Sequence, residues 1–202
     1  MPMDELIVGR AVLLVIDMQQ DGYLPTEASG IPHMPGFEGR VARTIELVDA
    51  CRAAGVPVVF FQEVHRRDLV DFGRELDGTE GVHCLEGEAG TQLVAELLPR
   101  DGDYFIPKRR YSCFFGTDLE ILLRGLRAET LLLTGGLTDV CVHYTFADAH
   151  QRDYYVRVIE DCVGGSTVAR HEASLDAMAY LQSRARCTSQ DVKVALKQVA
   201  LA

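Results

Sequence analysis

The feature that most constrains the fold is a set of apolar segments of strand length that recur along the whole chain. Five such segments occupy approximately residues 11–17, 57–62, 103–107, 129–134 and 154–160. Stretches with helical spacing of apolar residues separate most of them. Continuous apolar strands that alternate with helices are typical of a parallel sheet covered on both faces. The pattern therefore predicts a three-layer α/β/α sandwich with a mainly parallel, Rossmann-like sheet of about six strands.

The helices between these segments have recognisable boundaries. One is predicted over residues 38–54 and another over 168–184, and the last begins at Ser189. The segment Thr117-Asp118-Leu119-Glu120 has the form of a capping box at the start of a further helix. Residues 63–90 are polar and rich in glycine, which predicts a long loop after the second strand, beside the carboxyl edge of the sheet.

Length, charge and cysteine spacing limit the classes of protein. A single domain is predicted over the 202 residues, 1–202. With a formal net charge of −10 and few clustered basic residues, the chain is not expected to bind nucleic acid. It lacks a signal segment and any apolar run long enough to span a bilayer, so a cytoplasmic protein with no membrane partner is the expectation. The six cysteines contain no Cys-x-x-Cys pair and are expected to be reduced.

A cysteine stands near the start of a predicted helix, directly after a buried strand. Cys141 follows the apolar segment 131–136 and lies three residues past Thr138, where this helix is predicted to begin. The free N–H groups and the positive dipole of a helix N-terminus stabilise a thiolate. Asp17 and Lys108 also end apolar strands. Because carboxyl ends of parallel strands lie at one edge of the sheet, the three side chains are expected to meet where ligands bind.

Competing chemistries lack their motifs. No Gly-x-Gly-x-x-Gly follows the first strand, and the chain contains neither a Gly-Lys-Ser/Thr loop nor a Gly-x-Ser-x-Gly elbow. Dinucleotide binding, nucleotide-phosphate binding and serine hydrolysis are therefore disfavoured. Cysteine chemistry is the hypothesis that remains.

Three motifs, each at a strand end, give the chain a resemblance to the isochorismatase-like cysteine hydrolases. The motifs are Leu14-Val15-Ile16-Asp17-Met18-Gln19; Lys108 with Tyr111-Ser112-Cys113-Phe114; and Gly135 to Val142 followed by Thr145, Asp148 and Ala149. The chain is similar over residues 11–189 to this superfamily, which contains nicotinamidases, carbamoylsarcosine amidases and ureide amidohydrolases. The resemblance implies a catalytic triad of Asp17, Lys108 and Cys141.

The implied reaction is hydrolysis of a C–N bond in a small amide or ureide. Asp17 is suited to accept the thiol proton, Lys108 to favour the anionic forms, and Cys141 to form a thioester or thiocarbamate. The resemblance also places a cis peptide bond between Gly136 and Leu137, and the N–H groups of Leu137 and Cys141 are the candidate oxyanion donors.

The substrate pocket and its cofactor are less constrained. Glu63, His65, Tyr111, Phe115 and Tyr144 are candidate pocket residues, although the aromatic side chains equally suit core packing. Nicotinamidases carry an Asp-x-His pair and a later His that bind a divalent metal. Here the positions read Glu63-Val64-His65 and His83, so no metal and no cofactor are predicted, and the metal-dependent nicotinamidase is kept as an alternative.

Two further alternatives use the same residues differently. One is vinyl-ether hydrolysis of isochorismate, for which a nucleophilic cysteine is unnecessary. The other is a non-enzymatic thiol protein that senses oxidants. The family commonly forms homo-oligomers, so a dimer or tetramer is expected.

Overall fold

One sheet of parallel strands organises the protein. In the computed structural model, which describes residues 5–199, six strands pair in the order β3-β2-β1-β4-β5-β6, and every neighbouring pair is parallel. The strands are β1 (Ala11–Ile16), β2 (Val58–Glu63), β3 (Tyr104–Lys108), β4 (Thr130–Gly136), β5 (Tyr155–Gly164) and β6 (Arg186–Cys187). The first five correspond to the five apolar segments, and the predicted α/β fold class is confirmed.

Helices cover both faces of the sheet. They are α1 (Thr26–Ser29), α2 (Phe37–Ala53), α3 (Leu119–Leu126), α4 (Cys141–His150), α5 (Val168–Leu181) and α6 (Ser189–Val199). Leu14 of β1 packs in one apolar cluster with residues of α3, α4 and α5, and Leu13 packs in a second cluster with residues of α2 and α6. This alternation along a completely buried strand gives the three layers. No helix within residues 5–199 has the length and apolar character needed to cross a membrane.

Some predicted helix boundaries shift in the structure. Helix α5 ends at Leu181 rather than at residue 184, and Thr167 caps it by accepting a hydrogen bond of 3.2 Å from the Arg170 N–H. The predicted capping box is wrong. Helix α3 begins at Leu119 without a side-chain cap, because the Glu120 carboxylate pairs with Arg124 instead.

The strand order creates a crevice between β1 and β4. From β1 the chain proceeds outward to β2 and β3 and then returns to pair β4 with the other side of β1. At such a switch point the connections leave in opposite directions, and ligands bind in the gap. The two strand ends approach closely at Gly135, where an added Cβ would lie 1.8 Å from the Ile16 carbonyl oxygen. Only glycine fits there, with φ at +106°.

The long connection between β2 and β3 borders this crevice. It contains two single turns of 3-10 helix, Glu75–Asp77 and Ala95–Leu97, and includes the predicted loop 63–90. Isolated bridges join His65 to Leu85 within the connection and Gln19 to Leu93 across the crevice edge. The connection is thereby held against the carboxyl edge of the sheet.

Candidate active site

The three predicted catalytic side chains meet in the crevice. Asp17 directly follows β1, Lys108 ends β3, and Cys141 is the first residue of α4. The Lys108 Nζ lies 2.7 Å from Asp17 Oδ2 and 3.6 Å from Cys141 Sγ. Lys108 is completely buried, and Cys141 is 4% exposed. The strand order brings a carboxylate, an ammonium group and a thiol from distant parts of the chain into contact.

The helix that carries the thiol begins later than predicted. Thr138 does not start it, since its hydroxyl shares a hydrogen bond of 2.9 Å with His171 Nδ1 and its N–H donates to the Gly164 carbonyl at 2.9 Å. Thr138 therefore belongs to the turn before α4. Cys141 is the first helical residue, so its thiol lies at the helix N-terminus itself.

Glu63 is a second carboxylate in contact with the lysine. Its Oε2 lies 3.3 Å from Lys108 Nζ and 3.6 Å from Cys141 Sγ. The strand β2 lies between β1 and β3, so its last residue reaches the centre of the group. The Gln19 side chain fixes Glu63 by accepting from its N–H at 2.9 Å and donating to its carbonyl at 3.0 Å. Glu63 lines the pocket as predicted, but its carboxylate also faces the thiol and the ammonium group.

The charges around the thiol decide which group holds a proton. Burial raises the pKa of Asp17 to about 6, against the lowering effect of Lys108. Burial would also raise the pKa of Glu63, but Lys108 and His65 outweigh it and lower the value to about 2. Burial raises the pKa of Cys141 well above its ordinary value, because Lys108 offsets only part of the desolvation and both carboxylates disfavour a third anion. Cys141 is therefore a thiol at rest, and Asp17 is the base whose pKa lies nearest neutrality.

Two main-chain N–H groups beside the thiol are free. The peptide bond between Gly136 and Leu137 is cis. Leu137 and Cys141 line the pocket, and within residues 5–199 neither of their N–H groups donates to another group. Free N–H groups next to a nucleophile are the donors that an oxyanion needs.

The pocket above the thiol encloses about 750 Å³, including its open mouth. Tyr111 lines it and donates a hydrogen bond of 2.7 Å to Glu80 Oε2. The tilted rings of Tyr144 and Tyr111 have centroids 5.6 Å apart. Tyr144 is 56% exposed, however, and lines a neighbouring pocket. Phe115 is 66% exposed and lies outside the described pocket lining. Of the predicted aromatic wall, Tyr111 is the residue that the structure brings to the pocket.

His65 occupies a different place from the predicted pocket wall. It is completely buried behind Glu63, and its ring stacks on Phe72 with centroids 3.9 Å apart. Its Nε2 lies 3.2 Å from Glu75 Oε2 and 3.6 Å from Glu63 Oε1. Burial lowers the pKa of His65, but the nearby negative charges of Glu63 and Glu75 outweigh it and raise the value to about 9.

The surroundings of His65 fit a divalent metal. One donor atom each from Glu63, His65, Glu75 and His83 lies within 4.8 Å of the others. Five buried atoms of this group have no hydrogen bond within residues 5–199. They are both ring nitrogens of His65, both carboxylate oxygens of Glu75, and Glu63 Oε1. His83 Nδ1 donates to the Gly81 carbonyl at 2.7 Å, which leaves its Nε2 as an acceptor. Two imidazoles and two carboxylates suit zinc or iron, and without a metal a protonated His65 between the carboxylates offsets one of their two negative charges.

Sequence reasoning missed three residues that build the site. Gln19 positions Glu63, Glu80 holds Tyr111, and Arg40 lines the pocket from helix α2. A glutamine two residues past a strand-ending aspartate was a usable signal for Gln19. The sequence contains no such signal for Arg40 or Glu80, because an arginine in a helix and a glutamate in a polar loop are normally solvated.

An α/β sandwich that gathers a thiol, a lysine and carboxylates at its switch point has the architecture of the cysteine hydrolases. Comparison with known proteins specifies the family. A family model described as the Isochorismatase domain matches residues 11–191, and the chain belongs to the isochorismatase family of hydrolases.

Similar proteins agree with this assignment. The ureidoacrylate amidohydrolase RutB of Rhizobium rhizogenes is 31% identical over 174 residues, which cover 76% of this chain and 70% of that protein. The crystal structure of a cysteine hydrolase from Pseudomonas syringae pv. phaseolicola is 25% identical with a TM-score of 0.82, and the match covers 98% and 96% of the two chains. N-carbamoylsarcosine amidase from Thermoplasma acidophilum is 26% identical with a TM-score of 0.75, covering 90% and 97%. These relatives indicate an amidohydrolase.

Proposed function

We propose that this protein is a cysteine-dependent amidohydrolase that cleaves a C–N bond of a small amide or ureide through a covalent intermediate on Cys141. The contact of 3.6 Å between Cys141 Sγ and the Asp17-paired Lys108 Nζ carries the proposal. The pocket over these groups supports it, because a small molecule entering there reaches the thiol. The names of the relatives, a ureidoacrylate amidohydrolase and an N-carbamoylsarcosine amidase, support a ureide or carbamoyl substrate.

The first half of the reaction forms the covalent intermediate. Asp17, with a carboxylate oxygen within 4.8 Å of Cys141 Sγ, accepts the thiol proton. The sulfur attacks the carbonyl carbon, and the oxygen that becomes negative accepts hydrogen bonds from the N–H groups of Leu137 and Cys141. The C–N bond then breaks, and Asp17 returns the proton to the departing nitrogen. The product bound to the enzyme is a thioester or thiocarbamate.

The second half uses water in place of the thiol. Asp17 removes a proton from water, the hydroxide adds to the carbonyl carbon, and the S–C bond breaks to release a carboxylic or carbamic acid. The proton returns to Cys141. Lys108 has the same role in both halves of the reaction, because its positive charge stabilises the Asp17 carboxylate or the Cys141 thiolate, whichever is anionic. Burial lowers the pKa of Lys108, but Asp17, Cys141 and Glu63 raise it by a larger amount. The pKa is therefore well above its ordinary value, and Lys108 stays charged throughout the reaction.

Ammonia release tests the proposal directly. The purified protein would be offered 3-ureidoacrylate, biuret, N-carbamoyl amino acids, maleamate and nicotinamide. We expect turnover of at least one compound and a loss of about 10⁴-fold or more in Cys141→Ala. Cys162→Ala is the matched control, since this buried cysteine lies outside the described pocket lining and its loss should leave turnover intact. Undiminished turnover in Cys141→Ala would refute the covalent mechanism.

A metal-assisted amidase of the nicotinamidase type is a second candidate. The four convergent donor atoms around His65 favour it. Glu63, His65, Glu75 and His83 would hold the ion, which would polarise a coordinated substrate atom as a Lewis acid. Metal analysis after dialysis against metal-free buffer tests it. One equivalent of zinc or iron that is retained in Cys141→Ala and lost in His83→Ala supports this candidate, and a metal-free protein with full amidase activity refutes it.

The oxidant-sensing alternative is disfavoured by the state of the thiol. Reaction with peroxide needs a thiolate, whereas burial raises the pKa of Cys141 and keeps it a thiol. Intact mass after mild peroxide treatment would show the added oxygen that a sensor requires.

A further inference from the structure

A second buried cation lines the pocket, and it has no anionic partner. Arg40 is 7% exposed and contributes to the same pocket lining as Cys141. Its Nη1 donates to the Pro35 carbonyl at 2.7 Å and its Nη2 to the Met34 carbonyl at 3.1 Å. No carboxylate within residues 5–199 forms an ion pair with it. The guanidinium therefore has main-chain dipoles around it and no compensating negative charge.

The guanidinium lies against the end of β5. An added Cβ on Gly164 would lie 2.4 Å from Arg40 Nε, so the planar group packs directly on this glycine. Gly164 pairs with Gly136 across the sheet and accepts the Thr138 N–H at 2.9 Å. Arg40 thus lies at the end of β5, and the neighbouring strand β4 leads into the segment with the free N–H groups of Leu137 and Cys141. Arg40, Leu137 and Cys141 line one pocket, so a substrate whose carbonyl lies at those N–H groups can also reach the guanidinium.

A buried charge without a partner is costly. Burial and the nearby charge of Arg43 both lower the pKa of Arg40, but a guanidinium stays charged at any physiological pH. Burying an ion costs several kcal/mol unless an opposite charge offsets the loss of water. The acidic pocket residue Glu80 is engaged with Tyr111. Arg157, which is 2% exposed, likewise has only main-chain carbonyls as hydrogen-bond acceptors, so burial alone does not require an anion. Arg40 differs because it lines the pocket, where a ligand can supply the negative charge, and the fork of a guanidinium matches a carboxylate.

We propose that Arg40 binds a carboxylate on the substrate, so that the protein acts on ureido, carbamoyl or amic acids in preference to neutral amides. This inference rests on the proposed function and names its substrate class. Arg40 is a specificity residue, and it takes no part in forming or breaking the C–N bond. The acid and amide groups of the substrate are recognised by different residues of one pocket.

Binding to the inactive Cys141→Ala protein tests the inference without turnover. Calorimetric titrations would compare two acids, 3-ureidoacrylate and 3-ureidopropionate, with the neutral analogue 3-ureidopropan-1-ol. We expect at least one acid to bind about 10- to 100-fold more tightly than the alcohol. Adding Arg40→Met should abolish the difference, and Arg40→Lys should restore part of it. Equal affinities for the acids and the alcohol in Cys141→Ala would overturn the inference.

Kinetics separate a specificity role from a structural one. In Arg40→Met we expect the KM of an acid substrate to rise by about 10- to 100-fold, with a much smaller change for a neutral ureide. Arg43→Met is the matched control, since Arg43 lies on the same helix but is 44% exposed and pairs with Asp161. Equal losses on acid and neutral substrates would show that Arg40 only supports the fold.

The two proposals fail in different ways. Acid-selective binding that depends on Arg40, without turnover that depends on Cys141, would refute the amidohydrolase and retain the carboxylate site. Turnover that depends on Cys141 and is indifferent to Arg40 and to substrate charge would refute the carboxylate site alone.

Discussion

Two buried cations line or underlie the same pocket, yet their surroundings differ. Lys108 contacts the Asp17 carboxylate at 2.7 Å and the Glu63 carboxylate at 3.3 Å, and its pKa is raised well above the ordinary value despite burial. Arg40 has carbonyl oxygens as its hydrogen-bond acceptors, and burial lowers its pKa. Among the residues that the structure describes, carboxylates pair with Lys108 and none pairs with Arg40.

Under the proposed function, this difference separates the end of the pocket where the thiol reacts from the end that recognises the substrate. Around Lys108 the charges are balanced before any substrate arrives, so little reorganisation is needed when the thiol reacts. Around Arg40 the balance is incomplete, and a substrate carboxylate would complete it.

Replacing Lys108 should have the largest effect. Lys108→Met leaves Asp17 buried without a counter-charge and Glu63 with His65 alone, and we expect kcat/KM to fall by at least about 10³-fold. Breaking a buried pair in this way should also lower the free energy of unfolding by about 3–5 kcal/mol, measured by urea denaturation. Lys193→Met, which removes a surface pair with Glu46, should change it by less than about 0.5 kcal/mol. A Lys108→Met protein of normal stability would mean that the two carboxylates do not depend on the lysine.

A double variant should recover part of this loss. In Asp17→Asn with Lys108→Met, the carboxylate that lost its counter-charge is removed together with the cation. We expect the free energy of unfolding of this double variant to be about 1–2 kcal/mol higher than that of Lys108→Met, although both proteins are inactive. A double variant that is less stable than Lys108→Met would show that the two side chains contribute independently.

The corresponding change at the other cation should cost little. Arg40→Met gives up two hydrogen bonds to carbonyl groups but also removes an uncompensated buried charge. We expect the free energy of unfolding to change by less than about 1 kcal/mol in the same denaturation experiment. A loss comparable to that in Lys108→Met would erase the distinction between the two cations.

The smallest effect concerns pH. Asp17 acts as a base only when ionised, and its pKa is raised to about 6, so kcat/KM should fall as the pH drops through about 6. The Glu63 charge is one of the causes that raise this pKa. In Glu63→Gln the acidic limb of the profile should therefore move to lower pH. A limb that moves to higher pH would indicate that Glu63 acts on Asp17 mainly through Lys108.

Most of the fold was predictable because each of five strands is a continuous apolar segment. The strand β6 was not, since two residues, Arg186–Cys187, carry no pattern and pair only because β5 is already in place. The position of Cys141 within its helix was three residues off, because the Thr138 hydroxyl that suggested a cap instead bonds His171 from α5. The oligomeric state remains a prediction.

The residues of the candidate site also differ in whether the sequence predicts them. Asp17, Lys108 and Cys141 were predicted to meet because each ends a strand or begins a helix at one edge of a parallel sheet, where strand order alone brings them together. Arg40 could not be found, because its role depends on contacts made by the segment before α2 and by Gly164 at the end of β5. Contacts between distant segments leave no local pattern in the sequence.

The central position of β1 also has a consequence for synthesis of the protein. One edge of β1 pairs with β2, but its other edge pairs with β4, where Ala11 meets Thr130. On the ribosome, this apolar edge is therefore complete long before its partner has been made. A nascent chain that has passed Lys108 still presents an open strand edge, which is a site for pairing with other chains and for chaperone binding. Cys141, at the start of α4 after β4, reaches its place beside Asp17 and Lys108 only in the step that closes this edge.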